Sequence, residues 1–165
     1  MKEKIKHYAK ELIFFVIFLT LITNIMSFYK SQELNSAPLQ ISTLKLLNNS
    51  IYTVEQDKPI LLHFWATWCP TCKLEASNIN FLAKDFNIIT IAVNSGSNED
   101  IQKYLDENNY DFLVVNDAKS ILSSKFHIAG FPTTFIYNKD KKLVFSEVGY
   151  TSIIGLYLRM WWAGF

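Results

Sequence analysis

At 165 residues the chain is long enough for one domain and a short extra segment. Hydrophobic residues make up 50% of it and aromatic residues 15%, which excludes an intrinsically disordered chain and allows a sizeable core. The formal net charge is +1, with no Lys/Arg cluster, no Gly-rich phosphate loop and no internal repeat, so nucleic acid is not an expected partner.

Residues 1–11 are basic: Lys2, Lys4, Lys6 and Lys10 stand against Glu3 and Glu11. The run "LIFFVIFLTLITNIMSFY", Leu12 to Tyr29, carries no charge. As a helix it would span about 27 Å at ~1.5 Å per residue, close to the hydrocarbon thickness of a bilayer. Residues 12–29 therefore read as a transmembrane anchor to a lipid bilayer, and the basic flank assigns 1–11 to the cytoplasm. A cleaved signal peptide is the competing reading. It calls for an apolar region of about 7–15 residues and an A-x-A-like site, whereas this run is longer and Ser36-Ala37 precedes Pro38. A buried core helix is a third alternative, opposed by the Lys-rich flank and the terminal position. Residues 30–37 form a polar tether, and 38–165 a single domain beyond the membrane.

Along that domain, "LQIST" and "SIYTV" are candidate short strands around the turn-prone "LNNS". "PILLHFWA", Pro59 to Ala66, is an apolar run suited to a central strand buried on both faces. Ala76, Ile79, Leu82, Ala83 and Phe86 then recur at helical spacing. "IITIAV" is a second buried strand, and "EDIQKYLDENN" a helix capped by Asn98. "FLVV" predicts a strand and "KSILSSKF" a short helix. "TTFIY" and "KLVFSEV" predict a hairpin around Asn138 to Lys141, and a last helix starts after Thr151. Strands alternating with helices and closing on a hairpin predict an α/β sandwich with a mixed sheet.

The two cysteines of the chain, Cys69 and Cys72, flank Pro70 and Thr71. Structural zinc needs four ligands, and His7, His63 and His127 are scattered with no second Cys pair. A c-type haem needs His after the second Cys, where Lys73 stands. A static disulfide closing so small a loop constrains the unfolded chain little. Copper(I) on two thiolates stays open, because soft sulfur suits it, but no Met or His pattern supports it. Redox exchange fits best, with no cofactor or metal required. The motif follows a buried strand and opens a helix, whose unpaired N–H groups and dipole favour an anion at Cys69. An exposed Cys69 thiolate is the expected nucleophile and Cys72, one turn on and deeper, the resolving thiol. Pro70 suits the first helical turn, where its missing N–H costs nothing. A peroxidase is disfavoured, because its attacking Cys needs another neighbourhood and no second thiol one turn away.

"FWATWCPTCKLE" resembles the active site of the thioredoxin-like superfamily, and more narrowly that of membrane-tethered bacterial proteins of the TlpA/ResA/CcmG type. "GYTSIIGLYLRMWWAGF" is most similar to the copper-sensitivity-suppressor D branch of the protein disulfide oxidoreductases. The resemblance spans about residues 38–165 and implies a thioredoxin-like sandwich after one membrane helix. It also implies a cis-proline loop facing the thiols, placed by "GFPTT" on Pro132 with Phe131 before it. Exposed backbone at Phe131 would pair with a substrate strand. The resemblance further implies that Glu75, at the spacing where such proteins carry an acid, tunes the thiols or passes a proton; a solvated helix Glu is the alternative. Thioredoxin has a buried Asp where His63 stands here. Either this His shuttles a proton, or it is a core His satisfied by a backbone carbonyl.

The expected substrate-contacting residues are Trp68, Pro70, Thr71 and Phe131, and Cys69, Cys72, Glu75 and Pro132 carry the chemistry. The expected activity is thiol–disulfide exchange outside the cytoplasm, in the reducing direction, because no cation lies between the cysteines. Expected partners are client proteins bearing cysteines or disulfides and a membrane thiol protein that donates electrons; the chain itself is expected to be a monomer. Reduction of an apocytochrome c dithiol is the alternative within this chemistry, and a copper(I)-binding module the alternative outside it. In the last helix Ile153, Ile154, Tyr157, Leu158 and Trp161 form one apolar face, with Leu156, Met160 and Trp162 on the remainder and Arg159 its one charge. Most of this is expected to pack on the sheet, with a surplus for a membrane surface or a partner.

Overall fold

The computed structural model describes residues 2–31 and 34–165, without the side chains of 2–6, 9, 20, 23, 24 and 26–31. The expected roles of Lys2, Glu3, Lys4 and Lys6, and tether residues 32 and 33, lie outside the described residues. Helix α1, Lys2–Ser31, contains the apolar run, and its described side chains from Leu12 to Leu19 are exposed. Among the described residues no helix is long and apolar enough to cross a membrane.

A small antiparallel hairpin follows, β1 (Thr43–Lys45) with β2 (Ile51–Thr53). The strand expected over 39–43 is displaced towards its C-terminal end. Leu39 instead donates its N–H to the Lys141 carbonyl at 2.9 Å, which takes that residue away from β2. The main sheet comprises β3 (Ile60–Trp65), β4 (Ile88–Val93), β5 (Leu113–Asp117), β6 (Thr133–Tyr137) and β7 (Leu143–Val148), in the order β5-β4-β3-β6-β7. β3, β4 and β5 are parallel, whereas β6 and β7 run antiparallel to their neighbours. Every residue of β3, β4 and β6 is buried, as strands covered on both faces require.

The helices are α2 (Pro70–Leu82), α3 (Asn98–Asn108), α4 (Ile121–Lys125) and α5 (Ile153–Ala163). The crossovers through α2 and α3 step in the same direction across the sheet, so right-handedness puts both helices on one face. There α2, α3 and α5 pack over Leu61, Trp65, Ala92 and Ile136. The opposite face holds Leu62, Phe64, Ile91 and Phe135 beneath Phe126, which ends α4, and the β1–β2 hairpin. This is a thioredoxin-like fold with a mixed central sheet and flanking helices.

Two details correct the sequence reading. The cap of α3 is Ser97, not Asn98: the Ser97 hydroxyl accepts from Asp100 N–H while the Asp100 carboxylate accepts from Ser97 N–H. Asn98 is the first helical residue, and its side chain donates to the Leu47 carbonyl. The buried stripe of α5 is Leu156, Met160 and Ala163, not the face through Tyr157 and Trp161. Ile154, Tyr157, Leu158, Trp161 and Trp162 are exposed. The smaller side chains let the helix approach the sheet, and the aromatic rings are left outside.

Candidate active site

Strand β3 ends at Trp65, and the chain turns over Ala66 to Trp68 into α2. Cys69 is the N-cap of α2, with extended backbone (φ −86°, ψ 113°), and Pro70 takes the first helical turn. Cys69 and Cys72 are joined in a disulfide with their Cα atoms 5.3 Å apart. The Cys72 backbone N–H donates to Cys69 Sγ at 3.2 Å, so an otherwise unpaired amide of the helix start is aimed at the first sulfur. The expected exposure of Cys69 is not found: it is 5% exposed and Cys72 2%. The ring of Phe131 packs against the core cluster that holds both cysteines and meets the Trp68 ring edge-on, centroids 5.7 Å apart. Phe131 thus links the Trp68 ring to the cluster that holds the disulfide.

Trp68 is itself largely exposed, with its indole N–H donated to the Asn94 carbonyl at 3.1 Å. Asn94 follows β4 in a left-handed conformation (φ 46°), and its side chain donates to the Ser120 hydroxyl at 2.9 Å. The loop after β4 thus holds the Trp68 ring, a contact missed from the sequence because Asn94 lies outside any motif. The Phe131–Pro132 bond is cis. Pro132 is buried, and its carbonyl accepts from Gly149 N–H at 2.8 Å. Pro70 is exposed and Thr71 half-buried beside the sulfurs.

Glu75 follows Cys72 by one helical turn and is fully buried, which rules out a solvated helix Glu. Neither carboxyl oxygen has a hydrogen-bond partner among the described residues. Burial pushes its proton affinity up to about 8, with the nearby Thr151 backbone offsetting part of this and the charge of Glu147 adding to it. At neutral pH Glu75 is mostly protonated.

His63 is also buried, and its Nδ1 lies 3.0 Å from the Thr134 hydroxyl, so its partner is a side chain rather than the expected backbone carbonyl. Burial pushes its pKa down to about 3, leaving it neutral. His63 pairs in register with Thr90 on one side and Thr134 on the other, and Thr134 pairs with Glu147. Thr90, His63, Thr134 and Glu147 therefore form one polar row across the sheet, on the face that α2 and α5 cover. Polar residues interrupting apolar strands were the available signal, but only the register aligns them. Glu147 pairs with Arg159 of α5 and accepts from the Thr151 hydroxyl at 2.7 Å. Among the described residues there is no group of His, Cys, Asp or Glu able to hold a metal.

Residues 37–146 match the AhpC/TSA family. A thioredoxin-like protein of Haemophilus influenzae is 34% identical over 167 residues, covering 98% of each chain. The thiol:disulfide interchange protein DsbE of Pasteurella multocida is 36% identical over 117 residues, covering 68% of this chain and 65% of that one. Sporulation thiol-disulfide oxidoreductase A of Bacillus subtilis is 29% identical over 96 residues, and the chain spans 58% of its length. Among solved structures, the exposed lipoprotein thioredoxin of Streptococcus pneumoniae superposes with a TM-score of 0.65 at 20% identity, covering 75% of this chain and 98% of that one. StoA of Bacillus subtilis does so with a TM-score of 0.62 at 22% identity, covering 74% and 96%. At such identities the structures support the fold alone.

Proposed function

Because this chain belongs to the AhpC/TSA family and is a thiol–disulfide oxidoreductase of thioredoxin type, we propose that Cys69 and Cys72 are its working pair, held outside the cytoplasm by an N-terminal membrane anchor and reducing the disulfides of client proteins. The observation that carries the reading is Cys69 Sγ at the start of α2, facing the Cys72 N–H, with a protonated carboxyl one turn beneath. An amide aimed at sulfur favours the thiolate. In the reduced protein the Cys69 thiolate attacks a client disulfide, forming a mixed disulfide and releasing one client thiolate. Cys72 then passes its proton to the Glu75 carboxylate, which gave one up when the pair was reduced, and attacks the Cys69 sulfur, releasing the second client thiolate and restoring the Cys69–Cys72 bond.

Two electrons pass to the client, and a membrane thiol protein returns them. When that donor opens the disulfide, Cys72 leaves as a thiolate one turn from Glu75, which supplies the proton. Trp68, Phe131 and the cis Pro132 loop form the docking rim, with Pro70 and Thr71 at its base. The Phe131 backbone makes no hydrogen bond among the described residues, which suits pairing with a client strand. The reducing direction rests on the absence of a cation between the cysteines: Pro70 and Thr71 carry none.

Two variants of the full chain test this. Cys69→Ser is expected to abolish catalysed insulin reduction. Cys72→Ala is expected to accumulate mixed disulfides with client proteins in cells. Stoichiometric copper(I) binding without turnover in the unmodified chain would overturn the reading.

A further inference from the structure

Behind Glu75 stands a layer of polar contacts that thiol exchange does not use. Glu147, from β7, is 20% exposed at its side chain and Arg159, from α5, 24%, so their ion pair is largely withdrawn from water. The guanidinium carbon also lies 5.9 Å from the centre of the Phe145 ring. On its other oxygen Glu147 accepts from the buried Thr151 hydroxyl at 2.7 Å. The Thr151 carbonyl accepts in turn from Asn78 Nδ2 at 3.4 Å, and Asn78 lies one turn after Glu75 on α2. Gly155 leaves room for this arrangement: a Cβ there would stand 2.9 Å from Arg159 Nη1 and 3.2 Å from Thr151 Cγ2.

We propose that Arg159 and Glu147 are positioning residues for Glu75: their ion pair, fastened to Thr151, fixes the charge that the buried carboxyl meets. The bearing of this on the thiols rests on the role given to Glu75 above. The groups facing Glu75 are few. Glu147 comes from β7 with Arg159 of α5 behind it, and α2 itself contributes Cys72. Lys73, the other charge of α2, is exposed, and His63 of β3 is neutral at physiological pH because burial holds its pKa near 3. The net charge of the Glu147–Arg159 pair is therefore the main adjustable field at Glu75. With the pair intact the guanidinium offsets part of the carboxylate charge, and the remainder still helps to hold the Glu75 proton. Loss of Arg159 leaves a bare carboxylate, which makes Glu75 hold its proton more tightly. Loss of the Glu147 charge leaves a bare guanidinium, which makes Glu75 release its proton more readily.

The experiment follows the Glu75 carboxyl in the disulfide form of the full chain in detergent micelles. Its carbon resonance is assigned by difference from Glu75→Gln and titrated with pH. Arg159→Met is expected to raise the midpoint and Glu147→Gln to lower it, each by roughly three- to tenfold in proton affinity. Arg159→Lys, which keeps the charge, is expected to stay near the parent. Gly155→Ala, which keeps both charges and crowds the guanidinium, is expected to shift the midpoint in the direction of Arg159→Met and covers the case in which a charge variant fails to fold. Midpoints that stay put, or that move the same way in Arg159→Met and Glu147→Gln, overturn the inference. Insulin reduction, read separately, reports on the thiol chemistry, so failure of one is distinguishable from failure of the other.

Discussion

Glu75 releases its proton near pH 8 in the folded disulfide form, against an ordinary value of 4.5. Between those values the native chain holds a proton that the unfolded chain has lost, so this contribution is full below 4.5 and is lost as pH rises towards 8. His63 behaves oppositely. Its pKa falls from 6.5 to about 3, so its contribution is full above 6.5 and is lost as pH falls towards 3. From pH 4.5 to 6.5 the two slopes oppose each other. Glu75→Gln removes only the first. Relative to the parent, this variant is expected to gain on the order of a few kcal/mol between pH 5 and pH 8.5, read from urea unfolding with the disulfide intact. A stability difference that stays level across this range would mean that the carboxyl ionises normally inside the protein. The same residue shows what spacing can reveal: Cys72 and Glu75 share a helix face by arithmetic, but the burial of its carboxyl depends on what packs above it.

At the scale of elements, the apolar runs of β3 and β4 and the pattern of α2 were legible because period and length allow one reading of each. The cysteines at the mouth of α2 were legible for the same reason. The orientation of α5 was not. Its sequence is apolar all round, so periodicity cannot choose a face, and the choice falls to packing volume: Leu156, Met160 and Ala163 fit against the sheet and the rings do not. The polar row was equally hidden, because Thr134 and Glu147 meet only through strand register. The observed orientation makes a prediction that separates it from the reverse face. Leu156→Ala and Met160→Ala, at sites 1% exposed, are each expected to cost about 2–5 kcal/mol. Trp161→Ala, at a site 53% exposed on the other face, is expected to change stability by about 0.5 kcal/mol or less. Urea midpoints of the three variants decide between the faces. A larger loss at Trp161 than at Met160 would reverse the orientation.

At the scale of the molecule, the proposed anchor and the proposed thiol chemistry constrain each other. The chemistry proposed for Cys69 and Cys72 makes sense where protein disulfides persist, which for a bacterial cell means outside the cytoplasm. The 30 residues of α1 would measure about 45 Å at ~1.5 Å per residue, against about 30 Å of hydrocarbon. Its Leu12, Phe14, Phe15, Ile17 and Phe18 are each half or more exposed. Lipid is the covering we propose, with the N-terminus inside and the domain outside. The full chain is then expected to sediment with membranes and to resist carbonate extraction. In intact cells with a permeable outer layer, a membrane-impermeant maleimide added after reduction is expected to label Cys69. Ile17→Arg with Phe18→Arg adds about 5–7 kcal/mol to insertion, taking ~2.5–3.5 kcal/mol per residue at the helix centre, and is expected to weaken retention without altering insulin reduction by the purified protein. Labelling that requires lysis of the inner membrane would place the thiols in the reducing cytoplasm. The electron donor would then be a soluble thiol system, and the membrane half of the proposal would fall while the exchange chemistry stood.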